Sequence, residues 1–211
     1  MNTSTSHLLA LDAVGFAYPG QAPLAQNWTV RIAPGVTLLH GDTGTGKSTL
    51  LRVLAGALPA TGRLTLAGAA LHAEPAAYLR NVFLSDPATD AFEQVSARAC
   101  TTTLSDGDTA FDASAWRELV DGFALTPHLD KPLYMLSTGT KRKVWLAAAL
   151  ASGRALTLLD EPAGALDAAS IRCLWAALGR IAERSDRAVV IASAERIDRI
   201  PLAATIELPL R

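Results

Sequence analysis

The chain has 211 residues, half of them hydrophobic, so it can bury the core of one large domain or of two small ones. Its 19 basic and 20 acidic residues give a formal net charge of -1, which leaves no positive excess for holding nucleic acid. The longest uninterrupted apolar stretch, residues 144–151, is far shorter than the roughly 20 residues that cross a bilayer.

The first forty residues consist of short, alternating apolar segments separated by proline and glycine, which is typical of strands. The N-terminus has no basic segment followed by a continuous apolar one, so we expect no signal peptide. Cys100 and Cys173 are far apart and lack metal-ligand spacing, which favours a reduced cytosolic protein. The predicted N-terminal strands are residues 8–14, 28–33 and 36–40.

Beyond residue 46 the chain alternates between helical and strand patterns. A helix is predicted from Lys47 to about residue 58, where Pro59 stops it, and a short strand follows at residues 62–68. A further helix is expected near residues 114–123.

Two continuous apolar runs mark the second half of the chain, residues 155–160 and 188–192, and each follows a helical segment. Such runs predict strands of a parallel sheet that is buried on both faces. The tail, residues 202–211, is too short for a further domain.

Residues 41–49, GDTGTGKST, fit the pattern G-x-x-x-x-G-K-[ST] between a predicted strand and a predicted helix. Glycines in this context let backbone N–H groups curl around an anion at a helix start. The alternative is a glycine-rich turn followed by a helix with a surface lysine. The predicted nucleotide-binding residues of this phosphate loop are Gly41, Asp42, Thr43, Gly44, Thr45, Gly46, Lys47, Ser48 and Thr49.

Three side chains of this loop have predicted roles. Lys47 reaches the β- and γ-phosphates as a positive charge, Ser48 is a ligand of Mg²⁺, and Thr49 donates to a phosphate oxygen. ATP and Mg²⁺ are therefore the expected ligands.

The apolar run at residues 155–160 ends in two acids, Asp160 and Glu161. A carboxylate at the end of a buried strand can hold Mg²⁺, and we assign this role to Asp160. Glu161 is the predicted catalytic base that orients and deprotonates the attacking water. The alternative is a helix cap at the end of the strand.

Residues 136–143, LSTGTKRK, lie between these motifs and precede another helical pattern. Alone, they indicate a surface helix capped by Ser137. With the phosphate loop before them and the acidic strand end after them, the order resembles the ATP-binding subunit of ABC transporters. The resemblance covers nearly the whole chain, and the short length is similar to compact exporter-type subunits, including those of haem export in cytochrome c maturation.

This resemblance implies a composite ATP site between two subunits. Ser137, Thr138 and Gly139 would cap the γ-phosphate of ATP that is bound to the other subunit, and Asp167 would lie at the dimer seam. Tyr18 would stack on adenine; the alternative is a core or hairpin tyrosine. The expected partners are a transmembrane permease and a second copy or a related ABC subunit, with no nucleic acid.

The resemblance also implies the fold class, an α/β P-loop NTPase of ABC type. It has a mostly parallel core sheet flanked by helices, an N-terminal antiparallel β subdomain and a helical subdomain. Residues 1–211 form one ABC ATPase domain. Residues 1–84 and 150–211 make the RecA-like core with the antiparallel part, and residues 85–149 make the helical subdomain.

Four positions depart from the family pattern. Ala194 stands where the family has a histidine that contacts the γ-phosphate, and no histidine follows His128. Where the family has a glutamine near Mg²⁺, this chain has Ser85, with Asp86 beside it as a candidate metal ligand. The signature has Thr138 for glycine and Thr140 for glutamine.

These departures predict that ATP and Mg²⁺ bind while hydrolysis is slow. We expect an ATPase at the inner face of the cell membrane that powers a separate permease. The alternative is a regulatory or assembly module that binds nucleotide with little hydrolysis. A soluble ABC ATPase acting on DNA or ribosomes is disfavoured, because residues 141–143 are the main basic cluster and are interpreted as a solvated helix start.

Overall fold

The structure, a computed structural model, describes residues 7–210. Strands and helices alternate along this part of the chain, as the sequence patterns predict. The strands are β1 (Leu9–Phe16), β2 (Ala25–Ile32), β3 (Gly35–His40), β4 (Thr61–Leu66), β5 (Ala69–Ala70), β6 (Val82–Leu84), β7 (Leu156–Asp160), β8 (Ala188–Ser193) and β9 (Ala204–Glu207).

The helices occupy the connections between the strands and a long segment after β6. Within residues 7–210 none of them is both long and apolar enough to span a bilayer. They are α1 (Lys47–Leu54), α2 (Pro75–Arg80), α3 (Ala97–Leu104), α4 (Ala113–Gly122), α5 (Thr138–Ala151) and α6 (Ala168–Ala182).

Two sheets form the framework. The first is antiparallel, with the strand order β2-β1-β4-β5, and the second is parallel, with the order β6-β7-β8-β3-β9. All six residues of β8 and the first four of β7 are buried, because the parallel sheet is covered on both faces. The predicted parallel sheet and the separate N-terminal antiparallel sheet are therefore confirmed.

Alternation along the parallel strands divides the core in two. Leu156 and Leu158 pack with the antiparallel sheet and α1, whereas Leu159 packs with α3 to α6 on the other face. Because these strands are parallel, their carboxyl ends lie along one edge of the sheet.

Helix α1 is shorter than predicted: it ends at Leu54 and does not continue to residue 58. Gly56, with φ of 70°, takes the left-handed conformation just after the helix. The N–H groups of Gly56 and Ala57 donate to the carbonyls of Val53 and Arg52, at 3.0 and 2.9 Å, which is the Schellman termination. The expectation that Pro59 stops the helix was wrong because Gly56 ends it first.

Helix α5 is the central helix, and every residue from Val144 to Ala151 is buried. The side chain of Arg187 is only 2% exposed and reaches the C-terminal end of α5. There it donates to the carbonyls of Leu150, at 3.0 Å, and Ala149. It also donates to the hydroxyl of Thr157 at 2.8 Å. Burial lowers the pKa of Arg187 to about 10. A buried cation thus binds the last carbonyls of α5.

Replacing Arg187 by alanine is expected to destabilise the protein by about 2 to 4 kcal/mol, because buried acceptors lose their donor and the packed side chain leaves a cavity. Urea unfolding followed by circular dichroism measures this loss. The exposed Arg117 on α4 is the control, and its replacement by alanine should change the free energy of unfolding by less than about 0.5 kcal/mol. Equal effects of the two substitutions would contradict this role of Arg187.

Candidate active site

The phosphate loop connects the end of β3 with the start of α1. Gly44 and Gly46 have φ angles of 84° and 92°, which side chains other than glycine rarely adopt. A Cβ atom on Gly46 would lie 2.2 Å from a methyl carbon of Leu24. The glycines therefore allow the backbone to curl where the sequence pattern predicts it.

The C-terminal tail packs against the same loop. β9 pairs in parallel with β3, and beyond it the N–H of Leu208 donates to the carbonyl of His40 at 2.8 Å. A Cβ atom on Gly41 would lie 2.9 Å from the Cβ of Leu208. Residues 204–208 thus form part of the wall behind the phosphate loop. The sequence of the tail alone did not predict this contact.

Lys47 is 7% exposed, and its ammonium group folds back onto the loop. Its Nζ donates to the carbonyls of Gly41, at 2.7 Å, and Asp42, at 3.0 Å. The same Nζ lies 3.6 Å from Oε1 of Glu161. A single cation therefore joins the loop to the predicted catalytic carboxylate.

Glu161 follows the last residue of β7 and has φ of 41°, in the left-handed region. Its Oε1 accepts a hydrogen bond from the backbone N–H of Ala194 at 2.8 Å, and its Oε2 accepts one from Oγ of Ser193 at 3.2 Å. Ala194, which stands in place of the expected histidine, thus contacts the predicted base through its backbone N–H.

The strand order explains this contact. Strand β8 lies between β3 and β7, so its end is next to both the phosphate loop, which follows β3, and Glu161, which follows β7. A cavity of about 470 Å³ lies in front of the loop. It is lined by Thr43, Gly44, Gly46, Lys47, Ser48, Thr49, Arg142, Asp160 and Glu161.

The predicted Mg²⁺ ligands line a neighbouring cavity of about 210 Å³. Ser48, Asp160, Ser85 and Asp86 all contribute to its lining. Hydroxyl and carboxylate oxygens are the ligands that Mg²⁺ prefers, and this cation commonly takes only one or two carboxylates together with substrate phosphates. The residues present therefore fit Mg²⁺ held jointly with a nucleotide.

Tyr18 is 39% exposed and lies beside the start of α1. Its hydroxyl is 3.1 Å from Oγ1 of Thr49, and its ring makes an edge contact with Phe16 at a centroid distance of 5.0 Å. The ring is therefore next to the phosphate loop with part of its surface open, as stacking on a base requires.

Ser137, Thr138 and Gly139 do not line the cavity of their own chain. Ser137 is the N-cap of α5, and its Oγ accepts from the N–H of Thr140 at 3.2 Å. A Cβ atom on Gly139 would lie 2.7 Å from the carbonyl oxygen of Ala165. The start of α5 thus packs against the segment that follows Glu161.

Asp167 is the N-cap of α6, where its Oδ1 accepts from the N–H of Ser170 at 2.8 Å. It also pairs with Lys143 through its other oxygen. The hydrogen bond from Lys143, with help from that of Ser170, holds the pKa of Asp167 well below its usual range. Asp167 thus links the start of α6 to Lys143 of α5.

Residues 141–143 lie near the start of α5, as predicted, but the prediction that they are solvated was wrong. Lys141 pairs with Glu93, Lys143 pairs with Asp167, and both lysine side chains are at most 20% exposed. Arg142 donates to the backbone carbonyls of Glu161 and Gly164. All three cations bind groups far away in the sequence, which the local pattern could not indicate.

Comparisons of the sequence and of the structure with known proteins all find ATP-binding proteins of ABC transporters. The model of the ABC transporter family matches residues 25–164. The cytochrome c biogenesis ATP-binding export protein CcmA of Rhodospirillum rubrum is 36% identical over 197 residues, which cover 90% of this chain and 81% of that protein. The taurine import ATP-binding protein TauB of Pseudomonas syringae pv. tomato is 31% identical over 205 residues, covering 95% and 78%.

A solved structure of the ATP-binding subunit of an ABC transporter superposes on the chain with a TM-score of 0.76 at 20% identity. The superposition covers 88% of this chain and 79% of the other. The predicted fold class is confirmed.

Proposed function

The chain belongs to the ABC transporter family, and on that premise we propose that it is an ATP-binding and ATP-hydrolysing subunit that powers a separate transmembrane permease. The observation that carries this proposal is the cavity where the phosphate loop faces Asp160 and Glu161 across the end of β8. The chain is similar to both a relative named for export and a relative named for import, and the proposal covers either direction of transport.

In this proposal the phosphates of ATP lie on the loop. The N–H groups at the start of α1 and the ammonium of Lys47 bind the anion, and Lys47 exchanges its contacts with the loop carbonyls for contacts with phosphate oxygens. Ser48 and Asp160 would hold Mg²⁺, with Ser85 or Asp86 behind them. Bound Mg²⁺ supplies charge that neutralises the phosphates during transfer.

Glu161 is the proposed base. Its carboxylate accepts the proton of the water that attacks the γ-phosphate. In the structure both carboxylate oxygens already accept hydrogen bonds, from Ser193 and Ala194, and Lys47 lies 3.6 Å away. The two hydrogen bonds fix the orientation of the carboxylate.

We further propose slow turnover. Ala194 has no side-chain donor for the transition state, and removal of one such preorganised donor typically lowers a rate by about 10²- to 10³-fold. Ground-state contacts to phosphate are numerous, so binding is less affected than turnover. This observation also supports the second candidate function, a regulatory or assembly module that binds nucleotide with little hydrolysis.

The proposed active unit is a dimer with ATP between the subunits. Ser137, Thr138 and Gly139 lie outside the cavity of their own chain, and Ser137 and Thr138 are exposed at the start of a 14-residue helix. The free N–H groups and the dipole of that helix suit an anion bound by another subunit. We propose a homodimer or an ABC heterodimer, peripheral on the inner face of the membrane.

Calorimetry with Mg-ATP tests the proposed site. Replacing Lys47 by alanine is expected to raise Kd by about 10- to 150-fold, because a hydrogen bond to a charged group contributes about 1.5–3 kcal/mol. The control is Arg63→Ala, which removes an exposed cation on β4 and should leave Kd unchanged. If the wild-type protein shows no heat of binding, or both variants bind equally well, the proposed function is wrong.

A further inference from the structure

Arg142 connects α5 to the turn that carries the predicted base. Its Nη1 donates to the carbonyl of Glu161 at 2.8 Å and to the carbonyl of Gly164 at 2.8 Å. The same side chain lines both cavities of the candidate site, beside Ser48 and Asp160. A charged side chain in the wall of the candidate site is therefore bound to the backbone of the turn that carries Glu161.

The fit around this guanidinium group is close. A Cβ atom on Gly164 would lie 2.5 Å from Nη1 of Arg142, so the absence of a side chain at Gly164 permits the contact. The Nε atom of Arg142 is buried and has no hydrogen-bond partner among the described residues. The two carbonyls are thus the acceptors that hold the group in place.

The turn needs such support because of its backbone conformation. Glu161 is not glycine, yet its φ is 41°, a conformation that costs of the order of 1–3 kcal/mol and persists only where surrounding contacts impose it. Its N–H donates to the carbonyl of Ala192 at 2.9 Å, and its carbonyl accepts from both Gly164 and Arg142. Arg142 is the member of this set that comes from α5.

We propose that Arg142 is a positioning residue for ATP hydrolysis: it holds the Glu161–Gly164 turn so that the carboxylate of Glu161 faces the phosphates. The proposal rests on the proposed function. Helix α5 also carries Ser137 and Gly139 at its start, which are the residues proposed to contact ATP of a second subunit. The contact of Arg142 with the turn therefore connects these residues to Glu161 of the same chain. Arg142 therefore acts through Glu161 and does not need to touch the nucleotide.

Two variants test this role by different means. Arg142→Gln replaces the guanidinium by a shorter, uncharged amide, and Gly164→Ala displaces the guanidinium by its added methyl group. Each is expected to lower kcat for Mg-ATP by about 10²-fold, because small misplacements of a catalytic group have effects of this size. The Kd for Mg-ATP should change less than about threefold, and the double variant should be no slower than Arg142→Gln alone, since both act on one contact.

Hydrogen exchange of the nucleotide-free protein gives a readout that does not depend on hydrolysis. In both variants the hydrogen-bonded amides of Glu161 and Gly164 should exchange at least about 10-fold faster, while those of β8 keep their rates. The control Arg180→Gln removes an exposed cation of α6 and should alter neither exchange nor kcat.

The outcomes separate this proposal from the proposed function. If the wild-type protein does not hydrolyse ATP but exchange is still faster in both variants, the ATPase function is overturned and the positioning contact is kept. Unchanged exchange of the Glu161 and Gly164 amides overturns the inference, even if ATP is hydrolysed. A rise in Kd larger than the fall in kcat also overturns it, since Arg142 would then be a phosphate ligand.

Discussion

Replacing Glu161 by glutamine is expected to lower steady-state ATP hydrolysis by about 10²- to 10⁴-fold, the usual contribution of a general base. The amide keeps the shape of the side chain, and its oxygen can still accept from the N–H of Ala194, which lies 2.8 Å from the carboxylate in the wild-type protein. Folding and Mg-ATP binding should therefore persist. Phosphate release and calorimetry measure the two effects separately.

Glu195→Gln is the matched control, because Glu195 is exposed two residues after β8 and is not part of the cavity at the phosphate loop. It should retain the wild-type rate. If Glu161→Gln also retains that rate, the measured hydrolysis does not come from this chain. The binding-module function would then replace the ATPase function.

Introducing histidine at position 194 is expected to raise kcat by about 10²- to 10³-fold, because it adds a donor close to the developing charge. Strand β8 ends between the phosphate loop and Glu161, and Ala194 is exposed, so an imidazole can extend toward the phosphates without displacing the core. The contact of Glu161 with position 194 uses the backbone N–H, which the substitution keeps. Single-turnover measurements with saturating Mg-ATP report this gain.

Ala194→Leu controls for bulk, since leucine is large and has no hydrogen-bonding group. It should not accelerate hydrolysis. A gain that is as large with leucine as with histidine would show that the imidazole does not act on the reaction. Slow turnover would then have another cause than Ala194.

Local sequence determined the elements whose physics is local. Residues 41–49 predicted a phosphate loop because left-handed glycines and a helix start are encoded within nine residues, and the structure has both. The buried strands β7 and β8 were evident because apolar runs bounded by polar residues pack in the middle of a sheet. The end of α1 was misplaced because Gly56 terminates the helix earlier than Pro59 would.

The tertiary structure decided which distant groups meet. No sequence pattern states that β8 inserts between β3 and β7, yet this order alone brings the N–H of Ala194 to Glu161, 33 positions earlier in the chain. Likewise, the contact of Arg142 with the catalytic turn depends on how α5 packs against the sheet. Motifs reveal what a segment can bind, because a loop or helix start carries its own donors. The geometry between segments follows from burial of the whole core, which is a property of the complete fold.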